Sequence, residues 1–154
     1  MITEKIKKTF FVCLFLIMPV FLYPQTGQRI EALLSSNALT YGQVTQFVLE
    51  AADIPAFSSP EAALRFAVEQ NWLPRNVVAN DPAKLRGLSL LIMKAFEVRG
   101  GIFYSLFQTS HYAYRELVYR NIIVGRAGPD MVVSGDTLLY LVSRVLSFQE
   151  SNIL

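Results

Sequence analysis

One short pattern opens three segments of this chain, and its spacing constrains the fold more than any other feature. The openings are Leu39-Thr40-Tyr41-Gly42-Gln43-Val44, Leu85-Arg86-Gly87-Leu88-Ser89-Leu90 and Val133-Ser134-Gly135-Asp136-Thr137-Leu138. In each, a small or polar residue starts a run with apolar positions at helical spacing, and a turn follows. Leu39 and Leu85 stand 46 positions apart, and Leu85 and Val133 stand 48 apart. Periods of this size indicate one supersecondary unit used repeatedly, because a single copy cannot bury its own apolar face. The later part of the unit also recurs. Ala62 to Leu73 precedes Tyr112 to Ile123 by 50 positions, with Val68 matching Val118 and Asn71 matching Asn121. The expected fold is all-α, a helix-loop-helix unit repeated about two and a half times within one domain.

The first 25 residues stand apart. Lys5, Lys7 and Lys8 precede an uninterrupted apolar run of 13 residues, Phe10 to Leu22. A bilayer-spanning helix needs about 20 apolar residues, so basic residues followed by this shorter core read as a secretory signal. No Ala-x-Ala marks a cleavage point, and cleavage is expected after Gln25 or Gly27; an uncleaved N-terminal anchor is the alternative. Cys13 lies inside the apolar run without a lipobox, so lipidation is not expected there. The reading is residues 1–25 as signal and 26–154 as one helical domain without a transmembrane span, in a protein exported to the periplasm or cell envelope.

Setting the signal aside changes the charge argument. The whole chain has 14 basic and 12 acidic residues, but residues 26–154 have 11 of each. Nucleic-acid binding needs clustered Lys and Arg to neutralise phosphates; a balanced domain with scattered Arg argues against that partner. The domain has no cysteine, so packing must stabilise it, and about 129 residues suffice for a core.

Local signals place the helices. Thr40 and Gln43 fit a capping box, with Val44, Phe47, Val48 and Ala51 following at helical spacing and Asp53-Ile54-Pro55 closing the helix. Ser59-Pro60 opens the next, where proline's missing amide has no partner to lose. Lys84 to Val98 is the most apolar stretch and is expected at the centre. Gly100-Gly101 breaks the chain, and Ile102 to Gln108 is a short helix or an extended piece. His111 to Asn121 is helical, with Tyr114, Leu117, Val118 and Ile122 as its core stripe. Ser134 and Thr137 start the last helix, expected to fray from Ser147.

The run His111-Tyr112-Ala113-Tyr114-Arg115-Glu116-Leu117-Val118-Tyr119-Arg120-Asn121-Ile122-Ile123-Val124-Gly125-Arg126, a turn with Pro129-Asp130, and Val133-Ser134-Gly135-Asp136-Thr137-Leu138-Leu139 together resemble an S-layer homology module. The resemblance covers about residues 38 to 148 and extends to diverged modules of spirochaete envelope proteins. In that family a Thr-Arg-Ala-Glu motif supplies an Arg to anionic wall polymer. The matching tetrapeptides here are Thr40-Tyr41-Gly42-Gln43, Arg86-Gly87-Leu88-Ser89 and Ser134-Gly135-Asp136-Thr137. Capping residues remain in the first and third, but the Arg and Glu of the motif do not. The resemblance thus implies a fold and an envelope location rather than charge-based polymer contact.

Catalytic signals are sparse. His111 is the only histidine, which rules out a histidine-rich metal site. One histidine still permits a Ser-His-Asp arrangement, but no Gly-x-Ser-x-Gly elbow accompanies it. No two carboxylates are spaced as an acid–base pair. A non-enzymatic role without cofactor or metal is expected. The aromatic cluster is more informative: Phe103, Tyr104, Phe107, Tyr112, Tyr114 and Tyr119 fall close together with Arg115 and Arg120. Phe103, Phe107 and Tyr114 fit core stripes. Tyr112, Arg115 and Tyr119 share another helix face, where aromatic rings can stack on sugars while Arg and phenol groups bond to their edges. Trp72, at a helix end, is expected to fill a gap between helices. The expected contact residues are Tyr112, Arg115, Tyr119 and Arg126. The expected partner is cell-wall polymer or an envelope protein; the alternative is an envelope interaction subunit that binds no glycan.

Overall fold

The computed structural model describes residues 24–55 and 57–151. The expected signal therefore lies, up to residue 23, outside the described residues, as do positions 152–154. Seven helices are described: α1 (Pro24–Leu34), α2 (Tyr41–Ala51), α3 (Pro60–Glu69), α4 (Leu85–Ala95), α5 (Ile102–Phe107), α6 (Ser110–Tyr119) and α7 (Gly135–Ser151). No strand occurs among the described residues, only two isolated bridges. The fold is all-α. The chain divides into two units at Ala32/Leu33, and the described core lies in the second.

The residues preceding α2, α4 and α7 meet in a closed cycle of backbone hydrogen bonds. Leu39 N–H donates to the Val133 carbonyl (2.8 Å), Val133 N–H to that of Ala83 (2.9 Å), and Ala83 N–H to that of Leu39 (2.8 Å). The residue that meets Leu39 and Val133 is thus Ala83, two positions before Leu85, the residue that sequence spacing pairs with them. All three are at most 1% exposed. A buried amide left unpaired costs about 1–3 kcal/mol, so the cycle satisfies groups that no helix ladder can reach.

The same segments serve the helix starts. The first amides of an α-helix have no partner inside it. Tyr41 and Gly42 of α2 donate to Asp81 and Ala79; Leu85 and Arg86 of α4 donate to Met131 and Pro129; Gly135 of α7 donates to Ser36. Side-chain caps add to this in α2, where Thr40 and Gln43 form the expected capping box, and in α7, where Ser134 Oγ accepts from Thr137 N–H (3.2 Å). Lys84, at the start of α4, makes no side-chain cap; there the neighbouring loop alone supplies the acceptors.

Matching details continue along the elements. Thr45 and Ser89, both fully buried, donate to the carbonyls of Tyr41 (2.6 Å) and Leu85 (2.7 Å) one turn back. Beyond α2 and α4 the chain turns through positive φ at Asp53 (55°) and Glu97 (50°). Hydroxyl residues Ser59 and Thr109 cap α3 and α6, and Asn71 (57°) and Asn121 (54°) follow them. Asn tolerates this left-handed turn better than most residues.

α4 is the central element, as its composition suggests: every residue from Leu85 to Ala95 except Arg86 and Lys94 is buried. It packs against α2 and α6, α2 also against α3 and α7, and α5 against α6. Val44, Leu88 and Leu138, at the same distance from the cycle in their helices, are each at most 1% exposed. The core stripe of α6 differs from expectation. Ala113 and Leu117 point inward, whereas Val118 is 41% exposed. Ile122 and Ile123 pack inward without forming a strand. α7 does not fray at Ser147 but continues to Ser151. Gln149 holds it there by donating to the Phe96 carbonyl (2.7 Å).

Gly135 is required by close approach. A Cβ there would stand 1.7 Å from the Leu33 carbonyl oxygen, whereas one at Gly128 would meet nothing within 4 Å. Gly135→Ala should cost about 3 kcal/mol by overpacking and Thr40→Ala about 1 kcal/mol by loss of a cap, while Gly128→Ala leaves the urea midpoint unchanged. Equilibrium urea unfolding of the three variants checks this order.

Candidate functional site

α5 and α6 build the site. Gly101 starts α5 without a side-chain cap, and α5 ends when Gln108 turns left-handed (φ 46°) and donates to the Tyr104 carbonyl. Lys94 from α4 reaches the Gln108 side-chain oxygen. Of the six residues of α5, only Tyr104 is buried. Ile102, Phe103, Leu106 and Phe107 are 77, 66, 70 and 56% exposed. The expectation that Phe103 and Phe107 join the core is therefore corrected: Tyr104 takes the inward position of this short helix, and the two phenylalanines lie against Tyr112 instead. Tyr114 is half-buried, its phenol donating to the Ala127 carbonyl (2.6 Å).

Tyr112 stacks with both rings. Phe103 lies 6.0 Å away at 11°, and Phe107 lies 5.2 Å away at 20°. His111 meets Tyr112 edge-on at 5.3 Å. Since α6 buries Ala113 and Leu117, positions 112, 115 and 119 come to one side of it. A groove of about 300 Å³ results, lined by Phe103, Tyr104, Tyr112, Arg115, Glu116 and Tyr119. This is the low end of ligand-cleft size. Tyr119 is 84% exposed at its edge.

The groove floor is electrostatically organised. Glu116 accepts from Arg120 Nε at 2.7 Å, and the same guanidinium donates to the Arg99 carbonyl (2.6 Å) while lying 5.0 Å from the Phe148 ring centroid. Arg120 is thus engaged in structure, and exposed Arg115 is the cation on the groove wall. Burial, with the Glu116 charge second, pushes the Tyr104 phenol up to about 12.

Of the residues expected to make contact, Tyr112, Arg115 and Tyr119 line this groove; Arg126 does not, being exposed in the loop past Gly125. Sequence reasoning left out Phe103, Tyr104 and Glu116 as groove residues. The alternation of exposed and buried positions in a helix as short as α5 gives no periodicity by which to place Phe103. Glu116 and Arg120 do carry a local signal, their i,i+4 spacing.

A larger groove, of about 710 Å³, lies at the C-terminal ends of α2 and α4, with Phe66, Trp72, Lys94, Glu97, Arg99 and Gln149 in its lining. Trp72 is half-buried and meets Phe66 edge-on at 5.7 Å. These residues are separated too far along the chain for any sequence motif to join them. Among the described residues, no three His, Cys, Asp or Glu side chains gather where a metal ion could be held.

Comparison with protein-family models, with curated proteins and with solved structures finds no match.

The Tyr104 shift sets a pH dependence. A phenol whose folded pKa is raised contributes stability that is whole below its unfolded value, 10.0, and lost as pH climbs towards about 12. Spectrophotometric titration should show one tyrosine ionising late, and Tyr104→Phe should remove that step and flatten the alkaline loss of stability.

Proposed function

We propose that this chain is an exported, non-catalytic protein of the cell envelope that binds wall material through the α5–α6 groove. The carrying observation is the convergence of Tyr112, Arg115 and Tyr119 on one groove with Phe103. Stacked rings offer flat apolar faces to a sugar ring, and they are held by one another, so little side-chain entropy remains to be lost on binding. Arg115 and the Tyr119 phenol supply donors for hydroxyl or carboxylate groups at the sugar edge.

The scaffold under this reading is a repeated helical unit of S-layer homology type. The Leu39–Ala83–Val133 cycle and the paired details of Thr45 with Ser89 and Asn71 with Asn121 support a repeat. In the resembling family an Arg in the helix-opening motif contacts the polymer. Here Arg86, in the matching tetrapeptide, is paired with Asp130 at 2.7 Å, which favours the aromatic groove as the contact surface.

A second reading, an envelope interaction subunit with no glycan contact, draws on the exposed apolar residues of α5. It requires wild-type protein that leaves the wall pellet empty and forms a stable oligomer or complex.

Residues 26 to 154 should co-sediment with purified insoluble cell wall. Tyr119→Ala, at a side chain so exposed that folding is indifferent to it, should weaken sedimentation at least about fivefold, as for a binding hot spot. Tyr112→Ala should do the same by collapsing the stack. Folded wild-type protein that stays in the supernatant would overturn wall binding.

A further inference from the structure

α5 presents a feature that groove binding leaves unused. Ile102 and Leu106, one turn apart, are 77 and 70% exposed and lie outside the groove lining. With Phe103 and Phe107 they make an apolar patch on a helix whose one buried side chain is Tyr104. Burying one such side chain is worth about 1.5–3 kcal/mol, so four left in water constitute a standing cost unless something covers them.

The charge of the segment that carries the patch favours an anionic partner. Segment 94–120 holds Lys94, Arg99, Arg115 and Arg120 against Glu97 and Glu116, an excess of two positive charges. The rest of residues 26–154 is correspondingly negative. Glu116 is occupied by Arg120, leaving Lys94, Arg99 and Arg115 against Glu97 and, across the larger groove, Asp53, with His111 beside the stack. A symmetric dimer through α5 would face these cations with their own copies, which repel. Nor is the patch large enough: four side chains of at most about 250 Å² each, 56–77% exposed, fall short of the about 800 Å² per partner that a stable interface buries.

We propose that α5 is a wedge for the surface of an anionic lipid bilayer. Ile102, Phe103, Leu106 and Phe107 enter the boundary between headgroups and acyl chains, and Lys94, Arg99 and Arg115 meet the lipid phosphates. No helix among the described residues is long and apolar enough to cross a membrane, and a wedge lies on the bilayer without spanning it. The stack on Tyr112 keeps the two phenylalanines rigid, and aromatic side chains favour this interfacial depth. The proposal goes beyond wall binding, because Ile102 and Leu106 stand outside the groove.

The test places an environment-sensitive fluorophore on the full chain through Leu106→Cys, with Cys13→Ser removing the native thiol and Ser143→Cys as the comparison site on α7. Vesicles are phosphatidylcholine with about one part in four phosphatidylglycerol, or phosphatidylcholine alone. The expected result is a blue shift and quenching by lipid-borne nitroxide at position 106 with the anionic vesicles, absent at position 143 and weakened by salt. Arg99→Gln should lower vesicle affinity about fivefold, and Ile102→Ser about tenfold. A label at 106 that stays in water while the chain pellets with vesicles would overturn the proposal, since the N-terminal apolar run would then do the binding. Equal responses with both vesicle types would overturn it too. So would a vesicle-independent shift that grows with protein concentration, which would assign the patch to a second copy. Wall sedimentation of Tyr119→Ala is unaffected by any of these outcomes, so the two readings fail separately.

Discussion

Three backbone hydrogen bonds, joining residues 39, 83 and 133, are what the rest of the domain depends on. Each of these residues gives its amide to one partner and its carbonyl to the other, and each is buried. Removing any one segment therefore strands polar groups on both others, at the cost of burying them unpaired. The cycle also fixes where α2, α4 and α7 begin. All three start within a few residues of it, and Val44, Leu88 and Leu138, each five residues past its member of the cycle, are all buried. Closing contacts this far apart in sequence costs chain entropy. The apolar length of α4, buried at nearly every position, is the largest compensation visible.

Much of this was legible in local chemistry. Thr40 with Gln43, Ser59 with Pro60 and Ser134 with Thr137 mark helix starts because each side chain answers an amide within its own turn. What was not legible is answered from a distance. The start of α4 lacks a cap, since Lys84 cannot accept from an amide, and its acceptors come from Met131 and Pro129. Without a cap to fix the register, Leu85 resembles Leu39 more than Ala83 does, and the spacing shifts by two. The end of α7 misleads in the same way: its last turn is polar, yet Gln149 bonds to Phe96, 53 residues away.

The site divides along the same line. Tyr112, Arg115 and Tyr119 come together because they sit on one helix, where spacing alone dictates a shared face. Phe103 and Phe107 belong to another helix, too short to show a period, and their exposure depends on Tyr104 having taken the single inward position. Arg126 lies past the end of α6, where helical spacing no longer carries its direction.

The connection that leads into α6 is longer than the one that leads into α3. From Ala52, which ends α2, to Ser59, which caps α3, the chain advances 7 residues; from Phe96 to Thr109 it advances 13. The difference of six is the length of α5. Both connections deliver the chain to a hydroxyl cap and to a helix that buries an alanine at its fourth position, Ala63 or Ala113. The shorter connection reaches its helix without such a segment, and what α5 adds to the core is Tyr104. α5 is made of five apolar residues and a serine, is turned mostly to solvent, and enters the core through Tyr104 alone. Two of its apolar side chains, Phe103 and Phe107, lie against Tyr112 and so join this segment to the groove on α6.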